Sequence, residues 1–111
     1  MKTRPEVIKR DVSRVQKFSR NPAAGLLFDT LEEFDIKLKQ AADAMKIPAP
    51  RLSQIKSGEK KISADMALRF EKYLGVSAKV LMEMQAAYEF SIAYHKDKDR
   101  VQNEVEAYVH A

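Results

Sequence analysis

The chain has no cysteine, only three glycines and four prolines, and no long apolar run. Without cysteine there is no disulfide framework and no thiolate metal site, which fits a reducing cytoplasm. So few glycines and prolines argue against a loop-rich all-β design, while abundant Ala, Leu, Lys, Glu and Gln favour helices. No segment approaches the roughly 18–20 apolar residues that span a bilayer, so no membrane association is expected. The N-terminus is basic but lacks the apolar segment and small-residue cleavage site of a secretory signal.

Enzymatic constellations are nearly absent too. His95 and His110 have no paired cysteine and no HxxxH spacing, so both read as surface histidines. Glu32-Glu33 and Asp97/Asp99 have no accompanying histidine or nucleophile, and no glycine-rich phosphate loop appears. No catalytic residue, metal ligand or cofactor is expected.

What is present is charge in blocks. The 111 residues fit one domain with an arm or tail, and 45% hydrophobic content supports an ordinary small core. The net charge of +4 is unevenly placed. Residues 1–20 hold seven basic and two acidic side chains, +5; residues 21–36 hold none and four, −4; residues 37–61 hold seven and two, +5. A basic stripe of this kind is the electrostatic footprint of phosphate contacts, or simply a solvated lysine-rich surface.

Five helices are expected. Asn21-Pro22 is a start signal, with Asn at the N-cap and Pro in the first turn. The first helix spans roughly 22–33, with Leu27, Leu31 and Phe34 on one face. The second spans about 38–45, with Leu38, Ala41, Ala42 and Met45 inward. Lys46-Ile47-Pro48 is the turn. The third spans about 49–56, with Leu52 and Ile55 inward, and Gly58 closes it in a left-handed conformation. Ser63 caps the fourth, whose buried set is Met66, Ala67, Phe70 and Leu74, and Gly75 stops it. Ser77 caps the fifth, with Val80, Leu81, Met84, Ala87 and Tyr88 on its face. Met66, Met82 and Met84 read as core. Three parts follow: a basic extension over 1–20, disordered or a short helix on Ile8, Val12 and Val15; a helix-turn-helix domain over 21–94; and a charged tail over 95–111, a candidate helical extension.

The segment from Ile36 to Gly58 has the form of a helix-turn-helix, in which one helix braces and the next enters the major groove. The alternative is two short amphipathic helices packed in a bundle. On the groove geometry Ala49, Pro50, Arg51 and Gln54 face the bases. Gln54 suits adenine and Arg51 guanine or a phosphate, while Ala49 and Pro50 offer only apolar contact. Lys37, Lys39, Ser53, Lys56, Lys60 and Lys61 are the phosphate candidates. Tyr88, Ile92, Val101, Val105 and Tyr108 exceed what a small core needs and form the candidate dimer surface.

From about Asn21 to Tyr88, roughly 68 of the 111 residues, the chain resembles the Xre-type (lambda-repressor-like) helix-turn-helix domain. More narrowly, it is similar to HigA-type antitoxins. The residues that carry this are Asn21-Pro22, Ala42, Ile47-Pro48, Leu52, Gln54, Ile55 and Gly58. The run Ile62-Ser63-Ala64-Asp65-Met66-Ala67-Leu68-Arg69-Phe70, Leu74-Gly75 and Gln85-Ala86-Ala87-Tyr88 complete them. The family often has Gly where this chain has Lys46, and Trp where it has Leu81. The resemblance implies an all-α, five-helix domain, a homodimer on a palindromic double-stranded DNA operator, and a RelE-like ribonuclease toxin as partner. The alternative is a stand-alone repressor without a toxin. The basic extension lies outside the common pattern. It is read as a DNA arm, a toxin-docking segment or a solvated terminus. The acidic first helix (Asp29, Glu32, Glu33) is a competing toxin-facing surface.

Overall fold

In the computed structural model, residues 15–109 are described, and among them the architecture is five α-helices without strands. Helix α1 is Pro22–Glu33, α2 Leu38–Met45, α3 Ala49–Ser57, α4 Ala64–Leu74 and α5 Ala78–Glu104. The all-α expectation holds. The expected helix over Ile8 and Val12 lies outside the described residues, as does His110.

Local chemistry sets the starts. Asn21 Oδ1 accepts from the Ala23 N–H at 3.0 Å, Ser63 Oγ from Met66 at 3.1 Å and Ser77 Oγ from Val80 at 3.2 Å. Each satisfies an N–H that the first turn would leave orphaned. Gly58 and Gly75 end α3 and α4 at φ of 86° and 79°. Helix α2 ends on Lys46, at φ 58°. A side chain in this left-handed region costs about 1 kcal/mol or more, a cost glycine avoids. Lys46→Gly should therefore raise stability by about 0.5–1 kcal/mol, read as a higher urea midpoint at unchanged slope. A lower midpoint would show that Lys46 contributes more than it strains.

Phe70, Leu27, Leu52, Ile55, Ile62 and Leu81 are the largest fully buried side chains. They join α1, α3, α4 and α5 with the α3–α4 loop. Ala41 and Ala42 are buried as well, which brings α2 close to its neighbours. Three expected inward residues are not inward: Phe34 is 59% exposed, Val80 47%, and Ala87 is exposed. Phe34 is the C-cap of α1, past the last turn that meets the core. Val80 and Ala87 lie off the arc of α5 that carries Ala78, Leu81, Gln85 and Ser91 inward.

Gln85 is polar yet only 4% exposed. Its Oε1 accepts from the Ile62 N–H at 2.8 Å and from Asn21 Nδ2 at 3.1 Å, and its Nε2 donates to the Ile62 carbonyl at 2.7 Å. One side chain thus joins the cap of α1, the loop before α4 and the middle of α5.

Helix α5 runs straight through the boundary expected near Tyr94. Arg100 reaches Asp97 at 3.5 Å and Glu104 at 3.1 Å, pairs at the spacings that stabilise a helix. At 27 residues α5 is about 40 Å long, which accounts for much of the 61 Å extent of the molecule. Residues 15–20 lie back along it. Phe18 meets Tyr88 edge-on with centroids 6.1 Å apart. His95 Nε2 lies 3.1 Å from the Val15 carbonyl, so this histidine is half-buried rather than a surface group. Arg20 pairs with Asp29 at 3.3 Å, crossing α1 where Gly25 leaves it room.

Candidate nucleic-acid interface

Helices α2 and α3 meet at the Lys46–Pro48 turn and are held from behind. Leu52 and Ile55 anchor α3 in the core. Arg69 of α4 donates to the Met45 carbonyl at 3.0 Å and to Asp65 at 2.8 Å. This guanidinium caps the C-terminal end of α2 and fixes the turn against α4. Unlike α1, α4 and α5, helices α2 and α3 have no side-chain N-cap. Their first amides therefore have no side-chain acceptor, and amides at a helix start attract anions.

The outer face of α3 carries the predicted readers. Pro50 and Arg51 are exposed, and Gln54 is half-buried. Ala49 is partly covered and packs against the core cluster, which leaves it little surface for a base. Ser53, Lys56, Lys60 and Lys61 are exposed around them. Gln54 is not free: its Nε2 donates to Glu59 Oε2 at 3.3 Å.

The predicted phosphate set divides by pairing. Lys39 reaches Asp43 at 3.2 Å and Lys61 reaches Glu89 at 3.4 Å. Among the described residues Lys37, Lys56 and Lys60 have no carboxylate within 4.0 Å. A neutralised lysine offers a phosphate less than a free one, so these three dominate the field of the face.

The predicted dimer residues do not share one surface. Ile92 and Val101 sit on one helix about two and a half turns apart, so they project to opposite sides. Tyr88 is half-buried under Phe18. Val105 caps α5 in an extended conformation and Tyr108 lies beyond it. One face of α5 instead carries exposed Phe90, half-buried Tyr94 and exposed Val101, spaced i, i+4 and i+11. Phe90 and Tyr94 touch with centroids 5.9 Å apart, and Lys98 lies 5.3 Å over the Tyr94 ring. The sequence reading missed Phe90 and Tyr94, although their helical spacing was a usable signal. It also passed over Glu59 and the structural roles of Arg69 and Gln85.

Among the described residues there is no cluster of His, Cys, Asp or Glu fit to hold a metal, and no helix is long and apolar enough to cross a membrane.

A braced α2, a tight turn and an outward α3 among cations define a helix-turn-helix DNA-binding domain. The helix-turn-helix family model HTH_3 matches residues 29–81. No curated protein matches the chain in sequence. Solved structures do. The Pseudomonas aeruginosa antitoxin HigA with the higBA promoter is 34% identical, with a TM-score of 0.72, over 78% of this chain and 96% of that one. A Pseudomonas aeruginosa chain in complex with its 18-bp operator DNA is 31% identical, with a TM-score of 0.73, over 86% and 99%. A HigA-family addiction module antidote from Coxiella burnetii is 28% identical, with a TM-score of 0.69, over 79% and 96%. The chain belongs to the HigA-type antitoxins of the Xre helix-turn-helix family. It is a DNA-binding antitoxin, and its family is not enzymatic.

Proposed function

We propose that the protein represses its own operon as a cytoplasmic homodimer on a palindromic operator and neutralises a RelE-like ribonuclease toxin. The observation that carries the DNA reading is the outer face of α3, where Arg51 and Gln54 stand among Lys56, Lys60 and, from the start of α2, Lys37, three lysines that pair with no acid among the described residues. Arg51 and Gln54 read base edges, with Pro50 against a thymine methyl. Phosphates bind Lys37, Lys56 and Lys60 and the uncapped amides of α2. The HigA relative solved with the higBA promoter supports control of its own operon.

The face with Phe90, Tyr94 and Val101 supports pairing of two α5 helices, because a solitary helix gains nothing by exposing Phe90 and Val101. For the toxin, α1 offers a face with Glu32 and Glu33 exposed and, among the described residues, without a cationic partner. An acidic face suits a basic ribonuclease.

Two experiments test this. Co-expression with the product of the adjacent gene should yield a co-purifying complex and restore growth; an adjacent product that neither binds nor inhibits growth would favour the stand-alone repressor. Gln54→Ala should lose about 1–3 kcal/mol on DNA selected by the wild-type chain and little on random DNA, measured by fluorescence anisotropy. Equal losses on both would remove Gln54 as a reader.

A further inference from the structure

Glu59 is the single acid between Gln54 and Lys61, a stretch that also holds Lys56, Lys60 and Lys61. A carboxylate at this place repels phosphate and lowers affinity for every DNA sequence. Its geometry is nevertheless tightly set. The Gln54 carbonyl accepts from the Glu59 N–H at 2.9 Å, the Lys60 N–H at 3.1 Å and Ser57 Oγ at 3.0 Å. Gly58 makes this possible with its φ of 86°. The backbones of residues 54 and 59 are therefore stapled together, and their side chains leave from neighbouring points.

We propose that Glu59 is a positioning residue that sets base specificity by orienting the Gln54 carboxamide. This rests on Gln54 being a base contact. A carboxylate only accepts, so it pairs with Gln54 Nε2 and rejects Oε1. The flipped carboxamide is excluded. One Nε2 hydrogen is held by Glu59, and the other stays available, together with Oε1. Those two groups match adenine, whose N7 accepts and whose N6 amino group donates in the major groove. Without Glu59 the carboxamide turns freely and presents both orientations. Glu59 thus gives up general affinity to gain discrimination, the usual form of specificity built with a repulsive group.

The test uses the full chain and two probes: duplexes selected by the wild-type chain from a fully randomised library, and the unselected library. Glu59→Gln keeps the size and exposure of the side chain but pairs with either carboxamide orientation. It should bind the unselected library more tightly, while the selected-to-unselected affinity ratio falls about fivefold or more. In a Gln54→Ala background, Glu59→Gln should still tighten binding to the library and leave the ratio unchanged, the signature of coupled residues. If Gln54→Ala lowers the ratio but Glu59→Gln does not, Glu59 is only a charge and the proposal fails. If Glu59→Gln lowers the ratio equally in the Gln54→Ala background, Glu59 acts without Gln54 and positioning is overturned. If Gln54→Ala leaves the ratio unchanged, the reading of Gln54 fails and the proposal falls with it.

Discussion

Gln85→Leu is expected to remove a large share of the protein's stability. Leucine matches the volume of glutamine, so packing is not the issue. The loss is in hydrogen bonds. Gln85 supplies the partners of both the N–H and the carbonyl of Ile62, a residue only 1% exposed. Leucine leaves both backbone groups buried and unpaired. Each such group costs about 1–3 kcal/mol, so the pair costs about 2–6. Asn21 also loses its Nδ2 acceptor and keeps only its capping bond to Ala23. A domain of this size has a total stability of about 5–10 kcal/mol, so the loss takes from about a fifth of it to nearly all. Gln85→Ala should be less damaging, because the space it opens is polar-lined and roomy enough for a water to meet the Ile62 groups. Urea unfolding followed by circular dichroism gives the comparison. A leucine variant within about 1 kcal/mol of wild type would show that Ile62 finds other partners.

The same bond set links stability to the DNA face. Ile62 ends the loop that carries Glu59, Lys60 and Lys61, and Gln85 fixes that end. Releasing it frees the lysines and the carboxylate that holds Gln54. A Gln85→Ala variant that still folds should therefore bind its selected DNA less tightly, although residue 85 lies in the core.

Helix positions were legible because their signals are local. Asn21-Pro22, Ser63, Gly75 and Ser77 each act within four residues of themselves, and the helices start and stop where those residues place them. The inward faces were legible only in part. Periodicity identifies an apolar stripe but not whether another helix covers it, so Phe34 and Val80 were expected inside and stand outside. Gln85 was noticed as part of a family motif, yet its partners lie 23 and 64 residues away, beyond the reach of any pattern in the sequence. The tail over 95–111 read as a charged candidate extension, and the structure carries α5 on to Glu104, where Arg100 pairs along the helix and sustains it. Phase was the missing ingredient on α5. Tyr88, Ile92 and Val101 are all on one helix, but Val101 points away from the face that Tyr88 and Ile92 share.

The second large effect concerns salt. The triple variant Lys37→Gln, Lys56→Gln, Lys60→Gln should bind selected and random DNA with a nearly equal loss, and with a much flatter dependence on ionic strength. Each lysine–phosphate contact releases counterions and steepens the log–log salt slope by about 0.9 unit. Three lysines on each of two copies make six contacts, so the slope should flatten by about 5 units. Over a fourfold rise in salt, wild type then loses affinity about a thousandfold more than the variant does. The fold should be unaffected, because these side chains are exposed and hold no acid among the described residues. Lys39→Gln and Lys61→Gln should change the slope less. Asp43 and Glu89 already neutralise those lysines, and DNA must displace the acids before it gains the contact. An unchanged slope in the triple variant would move the phosphate path off this face. It would turn attention to the basic residues 1–20, whose +5 equals the charge of residues 37–61. A slope change of full size in the paired lysines as well would mean that surface ion pairs at 3.2–3.4 Å open to DNA at no cost, which their high exposure permits.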